Sequence, residues 1–466
     1  MTKLSPARRR ALSALMEAQD GRGFVRDILA ASAGTLSDAR DEAFVLTLAL
    51  GVTATVGALD EALDRYIAKP SKVSARVRMA LRIPAFEMLY LDTPGHVAVS
   101  QGVELVRSQA RSAAGLANAV LRRVDEGRTA FFAARDVEEG QREVVAAARR
   151  QGIPVWLARK IEASLAHRGH AEESLCFSGA PAPACICVRP GAVLSNSVSG
   201  CIEPFVLDGT YLVSVPSMVA ASEDLAQGSL AVSDLNAQLI AASAVRDGSC
   251  LEIGAGRGTK TYVMVCRASR LGLQRRHVAV DLSAAKCDLN LRRLQQAGLA
   301  QGVEFAPGDG CDLDATLAQI DNAGEPTLFD TVFLDAPCSG TGTMRRHPEI
   351  PWRLLPSDVE HDLPDLQLQL LREAACRVKP TGELIYATCS VLMQENEQVI
   401  DAFLHSEDGC LFSLASFSES PAFCKEPAVV AYLQAREDDR GQFQSIPLVQ
   451  SDFDGHFCAR LIRREG

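Results

Sequence analysis

Length, composition and charge exclude several classes of protein for this chain. It has 466 residues, of which 47% are hydrophobic, and a formal net charge of −10. A chain of this length exceeds the usual size of one hydrophobic core, so we expect two or three domains. No apolar run approaches the roughly 18 residues of a membrane span, and residues 1–10 lack the apolar stretch of a signal peptide. The acidic balance argues against a uniformly basic nucleic-acid-binding surface.

The cysteines and histidines are not spaced as a disulfide framework or a metal site would require. The 14 cysteines include no Cys-x-x-Cys pair, and the eight histidines include no His-x-x-x-His pair. Such cysteine usage is typical of a reducing cytosol. We therefore expect a cytoplasmic protein that has no metal ion and no association with a membrane.

The charge is distributed unevenly along the chain. Residues 1–127 contain 17 Lys/Arg and 14 Asp/Glu, which leaves 31 and 44 for the remainder. The front segment is thus mildly basic and the rest is acidic, so contacts with phosphate are expected mainly in front. The count by itself favours the simpler interpretation, a solvated charged helix face.

The pattern of residues 1–135 predicts an all-α domain. Ser5 and Pro6 form a typical helix start, because proline suits the first helical turn. Three further runs repeat apolar residues at helical spacing, over 43–67, 77–91 and about 115–123. No part of this region alternates with period two.

Residues 136–231 predict a helical linker followed by a small mixed α/β domain. The helical pattern continues to about residue 170, and glycine and proline mark a change at 178–183. The following stretch contains short strand candidates at 185–188 and 211–215, without a long helical pattern.

Residues 232–466 predict an α/β domain with a parallel sheet and helices on both faces. Apolar runs alternate here with helical stretches, which is the rhythm of such a sheet. The predicted strands are 250–254, 277–281, 303–306, 331–335, 383–388 and 457–462.

A glycine-rich turn follows the first of these strands. It reads Glu252-Ile253-Gly254-Ala255-Gly256-Arg257-Gly258-Thr259-Lys260. Glycine lets the backbone bend sharply and approach a ligand, although such turns also connect strands to helices for purely structural reasons. The spacing is neither the dinucleotide fingerprint nor a P-loop, so a nucleoside triphosphate is not expected.

Acidic residues follow the next two strands. Asp281 ends one strand and Asp309 lies just after the other. A carboxylate in the first position can accept both ribose hydroxyl protons. Acidic groups without a phosphate cradle suit a cationic, phosphate-free nucleoside, and S-adenosylmethionine fits that description. Helix N-capping is the alternative role for each aspartate.

Two cysteines each follow an apolar, strand-like run. Cys338 lies in Asp335-Ala336-Pro337-Cys338-Ser339-Gly340-Thr341-Gly342, and Cys389 lies in Thr388-Cys389-Ser390. Ligands of open α/β sheets collect beyond the carboxyl ends of strands, so both thiols could face one pocket. A thiolate can attack a carbon atom, and a second group can then resolve the adduct. The alternative is that both are small buried residues.

These motifs together resemble the RNA cytosine-C5 methyltransferases of the Sun/Nop2 group. The resemblance also rests on residues 345–349 and 352–353, on Glu395-Asn396-Glu397 and on residues 454–457. It implies a Rossmann-like, S-adenosylmethionine-dependent methyltransferase domain. The cofactor-binding residues that it implies are Glu252, Gly254, Ala255, Gly256, Arg257, Gly258, Thr259, Lys260, Asp281, Asp309 and Asp335. The family usually has Asp-x-Cys-Ala-Ala-Pro-Gly-Gly-Lys at the glycine turn, and we expect the binding mode to survive this difference.

The resemblance also implies catalytic roles. Cys389 would attack C6 of cytosine, Cys338 would break down the adduct after methylation, and Asp335 would stabilise charge at N3. Lys260 is the candidate cation for lowering a thiol pKa. The base must leave its stack to react, and residues 345, 346 and 352 could hold RNA; a surface or core role is their alternative.

The front domain resembles the RNA-binding domain of the antitermination factor NusB. The resemblance rests on Asn118-Ala119-Val120-Leu121-Arg122-Arg123. Methyltransferases with such an extension act on 16S rRNA, so we expect 16S rRNA as partner, RNA binding by residues 1–135 and 136–231, and a monomer. Two alternatives remain: the same chemistry on tRNA or another RNA, and a non-catalytic NusB-like RNA-binding factor.

Overall fold

The structure is a computed structural model that describes residues 4–31, 38–176, 179–318, 320 and 327–465. It divides into two compact units. The front unit comprises Met1–Pro181 with Met344–Leu354, and the rear unit comprises Ala182–Thr343 with Leu355–Gly466. The three predicted domains, with boundaries after residues 135 and 231, stay a prediction. Of the predicted change at 178–183, Ser178 lies outside the described residues.

The regular structure described in the front unit is helical, as predicted. Its helices are α1 Pro6–Gln19, α2 Val25–Ala31, α3 Ala39–Ala54, α4 Val56–Asp64, α5 Ala75–Tyr90, α6 Gly95–Gln109, α7 Ala114–Phe132, α8 Arg142–Gln151 and α9 Val155–His167.

The predicted run over 43–67 is two helices rather than one. The chain leaves helical geometry at Thr55, with φ −116° and ψ 13°, and α3 and α4 meet at a bend of 74°. The Thr55 hydroxyl donates to the Gly51 carbonyl. Such a local hydrogen bond competes with the helical ladder and bends helices. Apolar spacing continues through the bend, which is why the pattern alone does not reveal it.

Residues 344–354 are remote in sequence from the rest of the front unit and still belong to it. The Trp352 indole N–H donates to the Ala54 carbonyl at 2.7 Å. Its ring lies against Gly57 in α4, and the Arg353 guanidinium lies over the Phe24 ring. Trp352 is therefore an anchor of this segment, and these contacts support the structural alternative to the predicted RNA contact.

The rear unit contains the strands and all but one of the other helices named below. Its strands are β1 Ala184–Val188, β2 Ile202–Pro204, β3 Thr210–Val213, β4 Leu230–Val232, β5 Ser249–Ile253, β6 Arg276–Asp281, β7 Val303–Pro307, β8 Phe329–Asp335, β9 Val378–Thr388, β10 Phe412–Ala415, β11 Phe443–Ser445 and β12 His456–Arg463. The other helices of the chain are α10 Asn196–Ser199, α11 Pro216–Ala220, α12 Glu223–Ala226, α13 Leu235–Ser243, α14 Thr259–Arg270, α15 Ala284–Gln296, α16 Leu313–Leu317, α17 Ile350–Arg353 (in the front unit), α18 Leu363–Ala375, α19 Glu397–Leu404 and α20 Pro427–Gln434.

The large sheet is mixed, so the prediction of a parallel sheet was wrong for its final strands. Its order is β10-β12-β9-β8-β5-β6-β7, with β11 also paired to β12. Strands β5 to β9 pair in parallel with one another, whereas β12 runs antiparallel to β9, β10 and β11. An apolar run predicts a strand, but it does not indicate whether that strand pairs in parallel or antiparallel.

The order of the parallel strands creates a switch point between β5 and β8. From β5 the chain adds β6 and β7 on one side, then returns to add β8 and β9 on the other. Ligands of such sheets bind beyond the carboxyl ends at this point. Apolar side chains cover both faces: Phe333 and Ile385 belong to one core, and Val332 and Leu384 belong to the other.

A second, smaller sheet occupies the start of the rear unit. Its order is β2-β3-β1-β4, and every pairing is antiparallel. The short helices α10, α11 and α12 accompany it, which agrees with the predicted mixed α/β character.

Two negative observations concern membrane-spanning helices and metal-binding groups. In the described part of the chain no single helix is long and apolar enough to cross a membrane. Among the described residues, only the bent pair α3–α4, when its two helices are taken together, has the length and composition of a membrane span. The same residues contain no group of three or more His, Cys, Asp or Glu side chains placed to hold a metal ion.

Replacing Gly57 by alanine is expected to destabilise the front unit, although alanine favours a helix over glycine by about 1 kcal/mol. A Cβ at Gly57 would lie 2.0 Å from the Trp352 ring, and such overpacking costs about 1–3 kcal/mol. Gly115 is the matched control, because it is also the second residue of a helix and its added Cβ meets nothing within 4 Å. Urea denaturation should give a lower unfolding midpoint for Gly57→Ala and not for Gly115→Ala. A raised midpoint in Gly57→Ala would contradict the packing of Trp352 against Gly57.

Candidate active site

The glycine turn connects β5 to α14 at the switch point of the sheet. Gly254 has φ +86°, and a Cβ there would lie 2.4 Å from the Asp335 carbonyl oxygen. Only glycine permits this approach, which brings the ends of β5 and β8 together. Gly258 has φ +73° and lies against Asn290 of α15, whose amide also donates to the Gly256 carbonyl at 3.1 Å.

Asp281 and Asp309 lie at the carboxyl ends of β6 and β7. Asp281 accepts the Gly256 amide at 2.8 Å and the Ser283 amide at 2.9 Å, and exposed Asp309 accepts the Cys311 amide at 2.9 Å. The helices that follow are capped by other residues, α15 by Ser283 and α16 by Asp312, so neither aspartate has the alternative role of helix N-cap. Each carboxylate instead orders loop backbone, and Asp281 also holds the glycine turn. Each also keeps acceptor capacity, since a carboxylate has about four lone-pair sites.

The geometry of this crevice fits the predicted cofactor class. A Cβ built on Gly256 meets only the Gly254 carbonyl oxygen, at 3.7 Å, so the space beside the turn is open. The side chains around it, Asp281 and Asp309, are acidic. An open hollow bordered by carboxylates suits a cationic nucleoside better than a phosphorylated one.

The other predicted cofactor residues are distributed around the turn. Glu252 is fully buried within β5, and its carboxylate pairs with His277 Nε2 at 2.9 Å. Ala255 is buried and Arg257 is exposed. Thr259 begins α14. The structure thus places the backbone of the turn, and not the Glu252 carboxylate, at the surface of the crevice.

Lys260 and Asp335 form an ion pair between α14 and the end of β8. The Lys260 Nζ to Asp335 Oδ2 distance is 2.6 Å, and both side chains are largely buried. Burial lowers the pKa of Lys260, but the charge of Asp335 and its hydrogen bond outweigh burial and raise it. Lys260 therefore remains positively charged beside the strand ends.

The structure brings Cys338 and Cys389 into direct contact, although 51 residues separate them in sequence. Their sulfur atoms lie 3.3 Å apart, and the Cys389 amide points to the Cys338 sulfur at 3.4 Å. The two residues follow β8 and β9, which pair in parallel with Asp335 opposite Ala387. Parallel pairing places both strand ends at the same edge, so the two thiols meet there.

The contact polarises the two thiols in opposite directions. The hydrogen bond from Cys338 lowers the pKa of Cys389, burial opposes this, and the charge of Lys260 lowers it further. The same hydrogen bond and burial raise the pKa of Cys338 well above its ordinary value. Cys389 is thus the thiol that ionises first, and Cys338 is the one that holds a proton.

Glu395 is a buried carboxylate that binds the residues next to both thiols, and no role was predicted for it from the sequence. Glu395 is fully buried. It accepts hydrogen bonds from the Ser339 amide at 2.7 Å, the Ser339 hydroxyl at 2.5 Å and the Ser390 hydroxyl at 2.5 Å. Gln367 of α18 donates to it at 3.1 Å. The signal that the sequence offered was a glutamate six residues after Cys389, within Glu395-Asn396-Glu397.

Asn396 supports the turn that carries Cys389. It accepts the Thr388 hydroxyl at 2.6 Å and donates to the Ser390 carbonyl at 3.0 Å. These two bonds close the backbone around Cys389 from both sides. The Thr-Cys-Ser turn is therefore held by side chains that follow it in the chain.

The predicted RNA-contacting residues 345, 346 and 352 all belong to the front unit. The structure therefore assigns them to a different unit from the two thiols, Lys260 and Asp335. Their sequence position immediately after the Cys338 loop did not indicate this.

Two protein families match the chain in separate regions. The family described as 16S rRNA methyltransferase RsmB/F matches residues 240–462, and the NusB family matches residues 5–126. The first region contains the glycine turn and both cysteines, and the second contains helices α1 to α6 and most of α7.

Curated relatives extend over most of the chain. Ribosomal RNA small subunit methyltransferase B of Xanthomonas campestris pv. campestris is 32% identical over 401 residues, covering 82% of this chain and 84% of the relative. The protein of the same name from Shewanella oneidensis is 27% identical over 440 residues, covering 92% of each.

Solved structures support the fold. The crystal structure of PH0851 has a TM-score of 0.72 at 19% identity and covers 99% of each chain. A methyltransferase homolog protein from Pyrococcus horikoshii has a TM-score of 0.51 at 18% identity and covers 70% of this chain and 100% of its own.

The predicted architecture of a helical NusB-like domain with a Rossmann-like methyltransferase domain is confirmed by these matches and by the fold. The chain belongs to the 16S rRNA methyltransferase RsmB/F family and is an S-adenosylmethionine-dependent RNA methyltransferase with a NusB-family domain in front.

Proposed function

We propose that the protein methylates C5 of a cytosine in 16S rRNA through a covalent adduct between Cys389 and C6 of the base. The observation that carries this proposal is the 3.3 Å contact between two thiols of opposite polarisation at the ends of β8 and β9. Methylation of an oxygen or exocyclic nitrogen needs no thiol pair. Methylation of an unactivated ring carbon requires a nucleophile that makes the carbon reactive and a base that later takes its proton, and two adjacent thiols can supply both.

The chemistry requires each thiol once. The Cys389 thiolate adds to C6, which forms a sulfur–carbon bond and makes C5 an enamine-like carbon. S-Adenosylmethionine supplies the methyl group, which moves to C5 and leaves S-adenosylhomocysteine. Cys338 releases its own proton to solvent and, as a thiolate, takes the C5 proton. The bond from Cys389 to C6 then breaks, its electron pair returns to the Cys389 sulfur, and the C5–C6 double bond re-forms.

The pKa directions support this division of roles. A nucleophile must be ionised before it attacks, and the pKa of Cys389 is lowered by its hydrogen bond to Cys338 and by Lys260. Hydrogen bonding and burial raise the pKa of Cys338, so this thiol stays protonated while Cys389 attacks and is the stronger base once it has lost its proton. The reverse assignment would place the nucleophile on the thiol that ionises less readily.

Asp335 is proposed to bind the base edge while Lys260 fixes its carboxylate. One Asp335 oxygen accepts Lys260 at 2.6 Å, which leaves the other oxygen for N3 of a cytosine that has taken up a proton. This contact would stabilise the charge that develops as the thiolate adds. Lys260 thus acts on both the base-binding carboxylate and the nucleophile.

The cofactor is proposed to lie along the glycine turn, with contacts from residues 252, 254–260, 281, 309 and 335. Support comes from the open space at Gly256 and from the acidic strand ends. Glu252 would contribute through its backbone or by supporting the glycine turn, because its carboxylate is bound to His277. The predicted 16S rRNA target, cytoplasmic location and monomeric state complete the proposal.

Methyl transfer to defined RNA tests the proposal directly. Labelled S-adenosylmethionine is supplied with 16S rRNA, with tRNA and with an unrelated RNA, and the modified base is identified after nuclease digestion. We expect 5-methylcytosine in 16S rRNA only. Label in tRNA would favour the alternative substrate, and RNA binding without any transfer would favour a non-catalytic NusB-like factor.

Substitution of each cysteine is expected to give a different phenotype. Cys389→Ala should abolish both methylation and covalent RNA trapping, because no thiolate adds to C6. Cys338→Ala should slow turnover by about 10²–10⁴-fold, the usual contribution of a general base, and should accumulate a protein–RNA adduct. Denaturing gels with labelled RNA check both outcomes. An adduct that persists in Cys389→Ala would reverse the two roles.

Removal of the charge of Lys260 is expected to move the acidic limb of adduct formation to higher pH. Lys260 lowers the pKa of Cys389, so Lys260→Met should raise that pKa and leave less thiolate at any given pH. The measurement is the rate of trapping on RNA containing 5-fluorocytosine, from which Cys338 cannot remove a C5 proton, against pH. Lys260→Arg is the control that keeps the charge; an unshifted limb in Lys260→Met would contradict the assignment.

A further inference from the structure

Each of the two thiols is followed directly by a serine, and both serines bind the same carboxylate. Ser339 follows Cys338 and Ser390 follows Cys389. Both hydroxyls donate to Glu395 Oε2 at 2.5 Å, and the Ser339 amide donates to Oε1 at 2.7 Å. The loops after β8 and β9 are therefore joined through one side chain immediately behind the sulfur atoms.

Further hydrogen bonds complete the network around Glu395. The two serine hydroxyls lie 3.2 Å apart. Gln367 of α18 donates both to Glu395 Oε1 at 3.1 Å and to the Pro337 carbonyl at 2.9 Å. The Tyr386 hydroxyl donates to the Glu395 carbonyl at 2.6 Å. Glu395 is thus fixed to β9 and α18. It holds the Cys338 loop at Ser339, and Gln367 holds the same loop at Pro337, on the other side of the cysteine.

We propose that Glu395 is a positioning residue that sets the separation of the two catalytic thiols by binding the serine behind each of them. This inference rests on the proposed function, because only chemistry that uses both thiols on one base requires a fixed separation. Glu395 itself forms no hydrogen bond to either sulfur atom among those described. Its action is on the backbone that carries them.

The burial of Glu395 restricts movement of the two loops that it connects. A carboxylate removed from water must be satisfied by hydrogen bonds, and leaving it unsatisfied is strongly unfavourable. Here burial raises the pKa of Glu395, against the lowering effect of the bonds from Ser339 and Ser390. Movement of either loop would break bonds to a buried carboxyl group, so both loops keep one geometry.

The position of Glu395 predicts that its loss affects two chemical steps, attack on C6 and proton removal from C5. Attack on C6 needs Cys389 at the base, and proton removal from C5 needs Cys338 at the neighbouring carbon. A change that lets the loops separate should slow both steps together. A misplacement of about 1 Å costs about 10²-fold in rate, whereas loss of the Cys338 thiol leaves attack on C6 intact and slows proton removal alone.

The test compares Glu395→Ala, Glu395→Gln and Glu437→Ala in the full chain. Glu437 is the matched control, because it also accepts two serine hydroxyls and a serine amide, those of Ser416 and Ser418. Adduct formation is followed on 5-fluorocytosine RNA, product release in single turnovers on ordinary RNA, and cofactor affinity with S-adenosylhomocysteine. The unfolding midpoint of each variant is measured in parallel.

We expect Glu395→Ala to slow both steps by about 10²-fold with unchanged affinity for S-adenosylhomocysteine. Glu395→Gln should recover most of both rates, because its amide keeps an acceptor for the Ser339 amide and a donor for the two hydroxyls. Glu437→Ala should keep both rates. If Glu395→Ala fails to fold, the double variant Ser339→Ala/Ser390→Ala replaces it, with the same expectation.

Two results would overturn the inference. One is a Glu395→Ala variant with both rates normal. The other is a parallel loss of both rates, cofactor affinity and stability in Glu395→Ala and Glu395→Gln alike, which would indicate a merely structural residue. Failure of the proposed function is recognised separately, because the wild-type protein would then form no adduct and methylate no cytosine.

Discussion

The parallel pairing of β8 with β9 is the constraint on which the active site depends. It aligns Asp335 with Ala387, so two loops that are 51 residues apart begin at the same edge of the sheet. Everything assigned to the thiols follows from this alignment: their contact, their shared environment and the single carboxylate behind them. In an antiparallel pair one of the two loops would begin at the opposite edge.

Electrostatics then gives the two sulfur atoms unequal character. One cation, Lys260, lies beside the strand ends and is bound to Asp335. It favours the ionised form of Cys389, which in turn favours the protonated form of Cys338. Burial strengthens each of these interactions because little water screens them. A nucleophile and a base thus arise from two residues of the same type.

The front unit shows how far sequence position can mislead about location. Residues 344–354 directly follow the Cys338 loop, and they still belong to the helical unit, where Trp352 is bonded to Ala54. Helical spacing predicted α1 and α7 well, because a helix that buries one face repeats its apolar residues locally. The bend at Thr55 escaped prediction, since it depends on a hydroxyl bond that leaves the apolar pattern intact.

The sequence by itself determined the order of the elements, the glycine turn, the acidic strand ends and the two cysteines in their motifs. These are local patterns, and local chemistry dictates them. Only the tertiary structure decided the mixed direction of the sheet, the 3.3 Å contact of the thiols, the pairing of Glu252 with His277 and the bonds of Glu395 to Ser339 and Ser390. Those features join residues far apart in the chain, and they arise because buried polar groups must find partners wherever the fold places them.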